Sequence, residues 1–168
     1  MKPETVSADM TTLGASRTLG APMLTKACVI RADIGQALEF GTTKGTTRAV
    51  FPIIGGEAVG AGWSGRIIPG GADFALALPD GSYAIEARYC LELDDGTPIM
   101  VTNAGRMVRQ PDGSFFGRTR GELEVPEGKP GHIGNVVYFG TALAEAGEWG
   151  AVRAGMLEAA TMPAVASP

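Results

Sequence analysis

The sequence predicts an all-β protein: a single closed or nearly closed antiparallel β-barrel of about ten strands, with at most short helical turns. Three observations carry this. Ser82 to Leu93 alternates along its length. Tyr83, Ile85, Ala87, Tyr89, Leu91 and Leu93 lie on one face, and Ser82, Ala84, Glu86, Arg88, Cys90 and Glu92 on the other. Hairpin turn signals recur at Pro79-Asp80-Gly81, Asp94-Asp95-Gly96 and Pro111-Asp112-Gly113, with no long amphipathic helix between them. Glycine supplies 25 of 168 residues, about twice its ordinary share, and proline 11, which suits tight turns and bent strands. A meander of this size is expected to close, because an open sheet leaves edges that pair with other chains.

The elements follow in order. Residues 1–21 show no periodicity and read as a flexible arm, 22–160 as the barrel domain and 161–168 as a flexible tail. The first strand runs from Met23 to near Ile34, with Leu24, Cys28 and Ile30 on one face. Gln36 to Gly45 is a loop rich in Thr and Gly, within which Gly35 to Phe40 has the length of one helical turn. Arg48 to Ile54 is a second strand, with Pro52 marking an edge or a bulge. A glycine-dense stretch, Gly55 to Asp73, leads to Ser82–Leu93, which pairs with Thr97–Arg106. Arg118–Val125 is a further strand, and Glu127–Gly131 is a Pro/Gly loop. His132–Leu143 and Val152–Leu157 complete the sheet, with a short helical connection over Ala142–Trp149.

Charge and composition exclude several function classes. With 14 basic and 18 acidic residues and no basic run, the chain has no footprint for nucleic acid or for an anionic membrane surface. Cys28 and Cys90 both fall inside strands, as buried free thiols or, alternatively, as a disulfide pair. The first twenty residues lack an apolar h-region, so the expectation is a soluble, cytoplasmic protein. His132 is the sole histidine, which excludes a multi-His zinc or iron centre. No phosphate loop and no nucleophile elbow is present, since Gly62-Trp63-Ser64-Gly65 is one residue too short for the latter. Gly60, Gly62 and Gly65 do spell G-x-G-x-x-G, but that motif needs a helix to begin on its last glycine. Here Arg66-Ile67-Ile68-Pro69-Gly70-Gly71 follows, so the glycines read as bends and bulges that let strands curve.

At Gly55-Gly56, Pro69-Gly70-Gly71-Ala72-Asp73-Phe74, Asp80-Gly81, Ala87-Arg88-Tyr89 and Asp95-Gly96 the chain resembles the domain-of-unknown-function family 3237. The resemblance covers roughly Pro22 to Glu158. It implies a compact β-barrel that associates as a homo-oligomer, and it implies no activity established for the family. Phe74 stands where that family commonly has Trp, and 131–137 matches it weakly.

The candidate site rests on charged and polar residues inside strands that otherwise alternate. Asp73 follows Gly70-Gly71, whose missing side chains leave space for a ligand beside its carboxylate; its other role is to bond its own turn. Arg88, mid-strand, is either a cation for a carboxylate or enolate, or an ion-pair partner of Glu86, Glu92 or Asp73. Arg48, Glu57, Gly71, Asn103 and His132 are the further ligand-binding candidates, each with a plainer structural role at a strand end, turn, bulge or loop. Tyr89 reads as core, and Trp63 and Trp149 as packing anchors. If the interior holds Asp73, Arg88 and Asn103 together, a polar pocket in an apolar wall results. The expected function is then a cofactor-independent lyase or isomerase acting next to a carbonyl. Asp73 would be its general base and Arg88 would steady the developing charge on a ligand bearing a carbonyl or carboxylate. The alternatives are a non-catalytic carrier with the same pocket, or a structural protein without a ligand.

Overall fold

The computed structural model describes residues 23–41, 45–127, 131–134, 136–145 and 151–160, and side chains for all of these but 23, 131, 132 and 151–160. The arm expected over 1–21 and the tail expected over 161–168 lie outside the described residues. The strands are β1 (Met23–Ile34), β2 (Leu38–Gly41), β3 (Thr47–Gly60), β4 (Trp63–Ala77), β5 (Tyr83–Leu93), β6 (Pro98–Arg109), β7 (Phe115–Glu124), β8 (Tyr138–Ala144) and β9 (Ala151–Ala160). One four-residue helical turn, α1 (Gly131–Gly134), precedes β8. All pairings are antiparallel, in the order β1-β9-β8-β7-β6-β5-β4-β3-β2, and β1 pairs with β3 as well. The protein is thus all-β and barrel-like.

Several expectations are corrected. Nine strands stand among the described residues, against about ten expected from the spacing of the turns. Gly35–Phe40 makes no helical turn; Leu38–Gly41 is the short strand β2, hydrogen-bonded to β3 at residues 47–50. The glycine-dense stretch is not a series of breaks. It forms the far half of β3 and most of β4, two strands longer than local propensity suggests. Residues 131–134 form α1 rather than the start of a strand, and 142–144 belong to β8. The remainder of the expected connection, 146–150, lies outside the described residues.

Three hairpins share one local device. In each, a strand-end N–H and carbonyl bracket a turn: Leu78 N–H donates to Ser82 O, Leu93 N–H to Thr97 O and Gln110 N–H to Ser114 O, at 2.8, 2.9 and 2.8 Å. The turn aspartates Asp80, Asp95 and Asp112 each accept the N–H two residues on, at 3.1, 2.9 and 2.9 Å. The following glycines take φ near +80°, with Gly96 at 81°, the left-handed step that ends a three-residue hairpin loop. Asp-Gly is required at these places for that reason.

The remaining glycines bend the sheet. The register of β4 against β5 slips between Ile68 and Ala72, and that of β3 against β4 between Ile53 and Glu57. Gly56 and Gly70, at φ 135° and 125°, make this double bulge possible. At Gly56 a Cβ would stand 2.1 Å from Arg31 O, so β1 crosses β3 at the bend with no room for a side chain.

The inner face is packed at one end by Tyr89, Leu91, Ile99, Val101 and Leu123, with Cys28, Ile30 and Ile53 from the neighbouring strands. Leu91 and Val101 are fully buried, each contributing about 1.5–3 kcal/mol. Ile133 of α1 plugs this end, and the Tyr138 hydroxyl donates to its carbonyl at 2.7 Å. Toward the other end the inner face mixes small residues, Ala49, Ala75, Gly117, Thr119, Gly140 and Ala142, with larger ones, Ile85, Met107 and the Tyr83–Phe115 ring pair. Among the described residues no helix is long and apolar enough to cross a membrane.

Candidate functional site

Asp73 lies where these two halves of the interior meet. In antiparallel sheets, residues directly opposite one another project from the same face. The row through Asp73 runs from Phe51 on β3 through Ala87, Asn103 and Gly121 to Tyr138 on β8. Ala87, Asn103 and Tyr138 are buried, so the row faces inward and Asp73, half-buried, faces inward with it. Its Oδ1 accepts one backbone N–H, from Glu86, at 3.2 Å. Burial disfavours the carboxylate more than this bond favours it, and the pKa is pushed up to about 6.

Three other polar groups share the face. Asn103 is 5% exposed and Thr119, diagonally across on β7, is 7% exposed. Neither Asn103 Oδ1 nor Thr119 Oγ1 has a hydrogen-bond partner among the described residues. Buried unpaired acceptors are costly, so such groups await a donor. Tyr89 is the third: burial holds its phenol far above the ordinary value, with the Cys28 thiol and the Asp73 carboxyl adding to the effect. It remains a neutral O–H near Asp73 at every physiological pH. Gly71 lets β4 come this close, since a Cβ there would stand 2.5 Å from both Arg88 O and Tyr89 Cβ.

The other predicted residues stand elsewhere. Arg88 lies between buried Ala87 and Tyr89 and points outward, exposed, ion-paired with Glu86 at 2.6 Å. The expected interior trio of Asp73, Arg88 and Asn103 therefore reduces to Asp73 and Asn103. Period-two alternation places Arg88 on the opposite face from its neighbours, and only the register of β4 against β5 shows which face Asp73 takes. Arg48 is exposed beside buried Ala49, and Glu57 is exposed and ion-paired with Arg31 at 3.2 Å. His132 lies in α1, and its side chain is outside the described residues. A hollow of about 260 Å³ lies at the bulge, lined in part by Pro69, Gly70, Gly71, Arg88, Tyr89 and Met100. Arg88, Cys90 and Met100 belong to the outer phase of their strands, whereas Gly71 and Tyr89 also border Asp73. Both cysteines are free thiols.

Thr119 and the polar role of Tyr89 escape the sequence reading. A signal for Thr119 was present: Arg118, Arg120, Glu122 and Glu124 alternate with Gly117, Thr119, Gly121 and Leu123, which assigns Thr119 to the inner face. No cluster of three or more His, Cys, Asp or Glu suited to a metal occurs among the described residues.

Comparison with known proteins agrees with this architecture. The chain is 42% identical over 76 residues to a UPF0311 protein of Rhodopseudomonas palustris, covering 45% of this chain and 50% of that protein. The match thus spans about half the length of that relative. A UPF0311 protein of Bradyrhizobium diazoefficiens is 41% identical over 112 residues, 67% of each chain. A crystal structure of a beta-barrel like protein from Acinetobacter baumannii superposes with a TM-score of 0.75 at 23% identity, covering 84% of this chain and 98% of that one. Residues 22–145 match the family model described as protein of unknown function (DUF3237), and the chain belongs to that family.

Proposed function

We propose that the barrel interior around Asp73 is a small-molecule site, and that Asp73 is its proton-transfer group. The barrel is closed in this reading, with β1 joining β9 to β3, so that its interior is a single chamber. One observation carries the proposal: a carboxyl with pKa near 6, inward-facing, beside buried polar atoms that lack partners. A base poised near neutral pH suits proton abstraction next to a carbonyl, followed by elimination or isomerisation, without a cofactor. Tyr89 takes the part expected of Arg88. A neutral hydroxyl donates to a developing enolate oxygen without forming an ion pair with the Asp73 carboxylate.

The test is deuterium exchange from D2O into a panel of enolisable ketones. The expected result is exchange above the buffer rate that falls by about 100-fold or more in Asp73→Asn. Exchange that survives Asp73→Asn removes Asp73 from the role of base. The carrier reading is favoured by one observation: no cation stands beside Asp73 among the described inward-facing side chains to stabilise developing charge. Under that reading the wild-type protein exchanges nothing while still binding ligand. Association of copies is also part of the proposal. Leu38, Phe40, Ile54 and Phe74 are exposed on the outer face around β2–β4, where apolar surface marks contacts.

A further inference from the structure

We infer that the interior site takes an uncharged ligand bearing a hydroxyl group, which donates a hydrogen bond to Asn103 Oδ1 while Thr119 completes the contact. The inference rests on the interior-site reading above and names its ligand class. Three observations lead to it.

The first is the hydrogen-bonding complement. Asn103 Oδ1 is an unpaired acceptor on a side chain more than nine-tenths buried, and Thr119 Oγ1, equally buried, is unpaired as well. An amide oxygen accepts and never donates, so its partner must bring a proton. A carboxylate or a bare ketone cannot satisfy it.

The second is charge. Asp73 is the only charged group in the middle of the inner face among residues whose side chains are described; Arg109, in phase with Met107, stands exposed at the far end of β6. The arginines of the surrounding strands lie outside: Arg88 with Glu86, Arg66 with Glu92, Arg106 with Asp80, and Arg120 with Glu122. An anionic ligand would meet the Asp73 carboxylate in a poorly solvated space, without a counter-charge.

The third is shape. The Asp73 row alternates polar with small, Asp73, Ala87, Asn103 and then Gly121. Neighbouring strands lie about 4.8 Å apart, so Asp73 and Asn103, two strands distant, are separated by roughly 9.5 Å of backbone with only a methyl group between them. In this inference a small ring lies across Ala87, between Ile85 and Tyr89 of the same strand face. One edge of such a ring reaches Asn103 and Thr119, while the other stays within reach of Asp73 and Tyr89.

Benzyl alcohol and benzoate share a ring and differ in the group under test. Both are titrated into the full ¹⁵N-labelled chain at pH 7.5 and followed by amide chemical shifts. Benzyl alcohol is expected to move the Asn103 side-chain amide and the backbone amides of Ala87 and Gly121, with benzoate at least about tenfold weaker. Asn103→Leu and Thr119→Val should each weaken the alcohol about fivefold or more. Should Asn103→Leu fail to fold, Thr119→Val, which keeps the side-chain shape, decides alone. Benzoate binding as tightly as the alcohol, or alcohol affinity unchanged in the folded variants, overturns the hydroxyl assignment and leaves the interior site standing. If neither probe moves an interior resonance, the site itself falls and the ligand class with it.

Discussion

The two halves of the inner face of this barrel-like sheet are built from the same strands but to different purposes. Toward Leu91, Ile99, Val101 and Leu123 the face is filled by branched and aromatic side chains that exclude solvent almost completely. Toward Ala75, Gly117, Thr119 and Ala142 the same strands alternate small residues with Ile85, Met107 and Phe115, and Asn103 Oδ1 and Thr119 Oγ1 lack partners among the described residues. One end is filled by aliphatic packing; the other carries the unpartnered Asn103 and Thr119 among mixed large and small neighbours. Asp73 sits at the boundary, sharing an electrostatic environment with Tyr89 on the packed side and a row with Asn103 on the mixed side.

The sharpest way to break this division is at the boundary itself. Gly71→Val would force a branched side chain into the 2.5 Å gap against β5, where backbone leaves no room to yield. A stability loss of about 3 kcal/mol or more is expected in urea denaturation. A loss under about 1 kcal/mol would mean that the close approach of β4 to β5 does not anchor the packed half.

Asp73→Asn tests the mixed half. The Asp73 carboxyl rises from an ordinary value of 3.8 to about 6 on folding. The folded chain therefore binds that proton more tightly than the unfolded chain, and this group lowers stability as pH climbs from about 4 to about 6, then no further. Removing the charge should raise stability at pH 7 by about 3 kcal/mol and leave it nearly unchanged at pH 3, where both states are mostly protonated. A loss at pH 7 would mean that the ionised carboxylate is held by a favourable partner. The turn aspartates run the other way. The Ser82 and Ser114 hydroxyls and N–H groups hold Asp80 and Asp112 below the ordinary value, so their contribution is present at neutral pH and fades in acid.

The smallest effect is expected on the outer face. Arg88→Ala removes one exposed ion pair with Glu86 and should change stability by less than about 0.5 kcal/mol, measured by thermal denaturation. It should leave deuterium exchange by the wild-type site untouched. A large loss of exchange would return Arg88 to the site.

How much of this was legible in the sequence depends on whether a feature is local. The three Asp-Gly hairpins were legible because each is closed by residues within five positions of one another, and turn chemistry is short-ranged. The face assignment in β5 was legible because alternation is a property of one strand. The grouping of Arg88 with Asp73 was not, because it depends on register across a bulge at Pro69–Gly71, which resets the phase of β4 without a sign in its hydrophobic pattern. Asn103 was found as a polar residue inside an apolar strand. Thr119 was passed over because threonine is at home in any strand, and its significance comes only from having no partner.

The pairing of β1 has a consequence for how the chain assembles. β1 meets β9 across most of the polypeptide, with Leu24 opposite Ala159, whereas β4 to β7 join through turns of a few residues. Joining distant segments carries a large loop-closure entropy that nothing repays until the contact forms. The β4–β7 meander, which carries Asp73, Tyr89, Asn103 and Thr119 together, can therefore order itself first, with the seam between the chain's ends sealed last. The site is inherited from the part of the chain that needs the least searching.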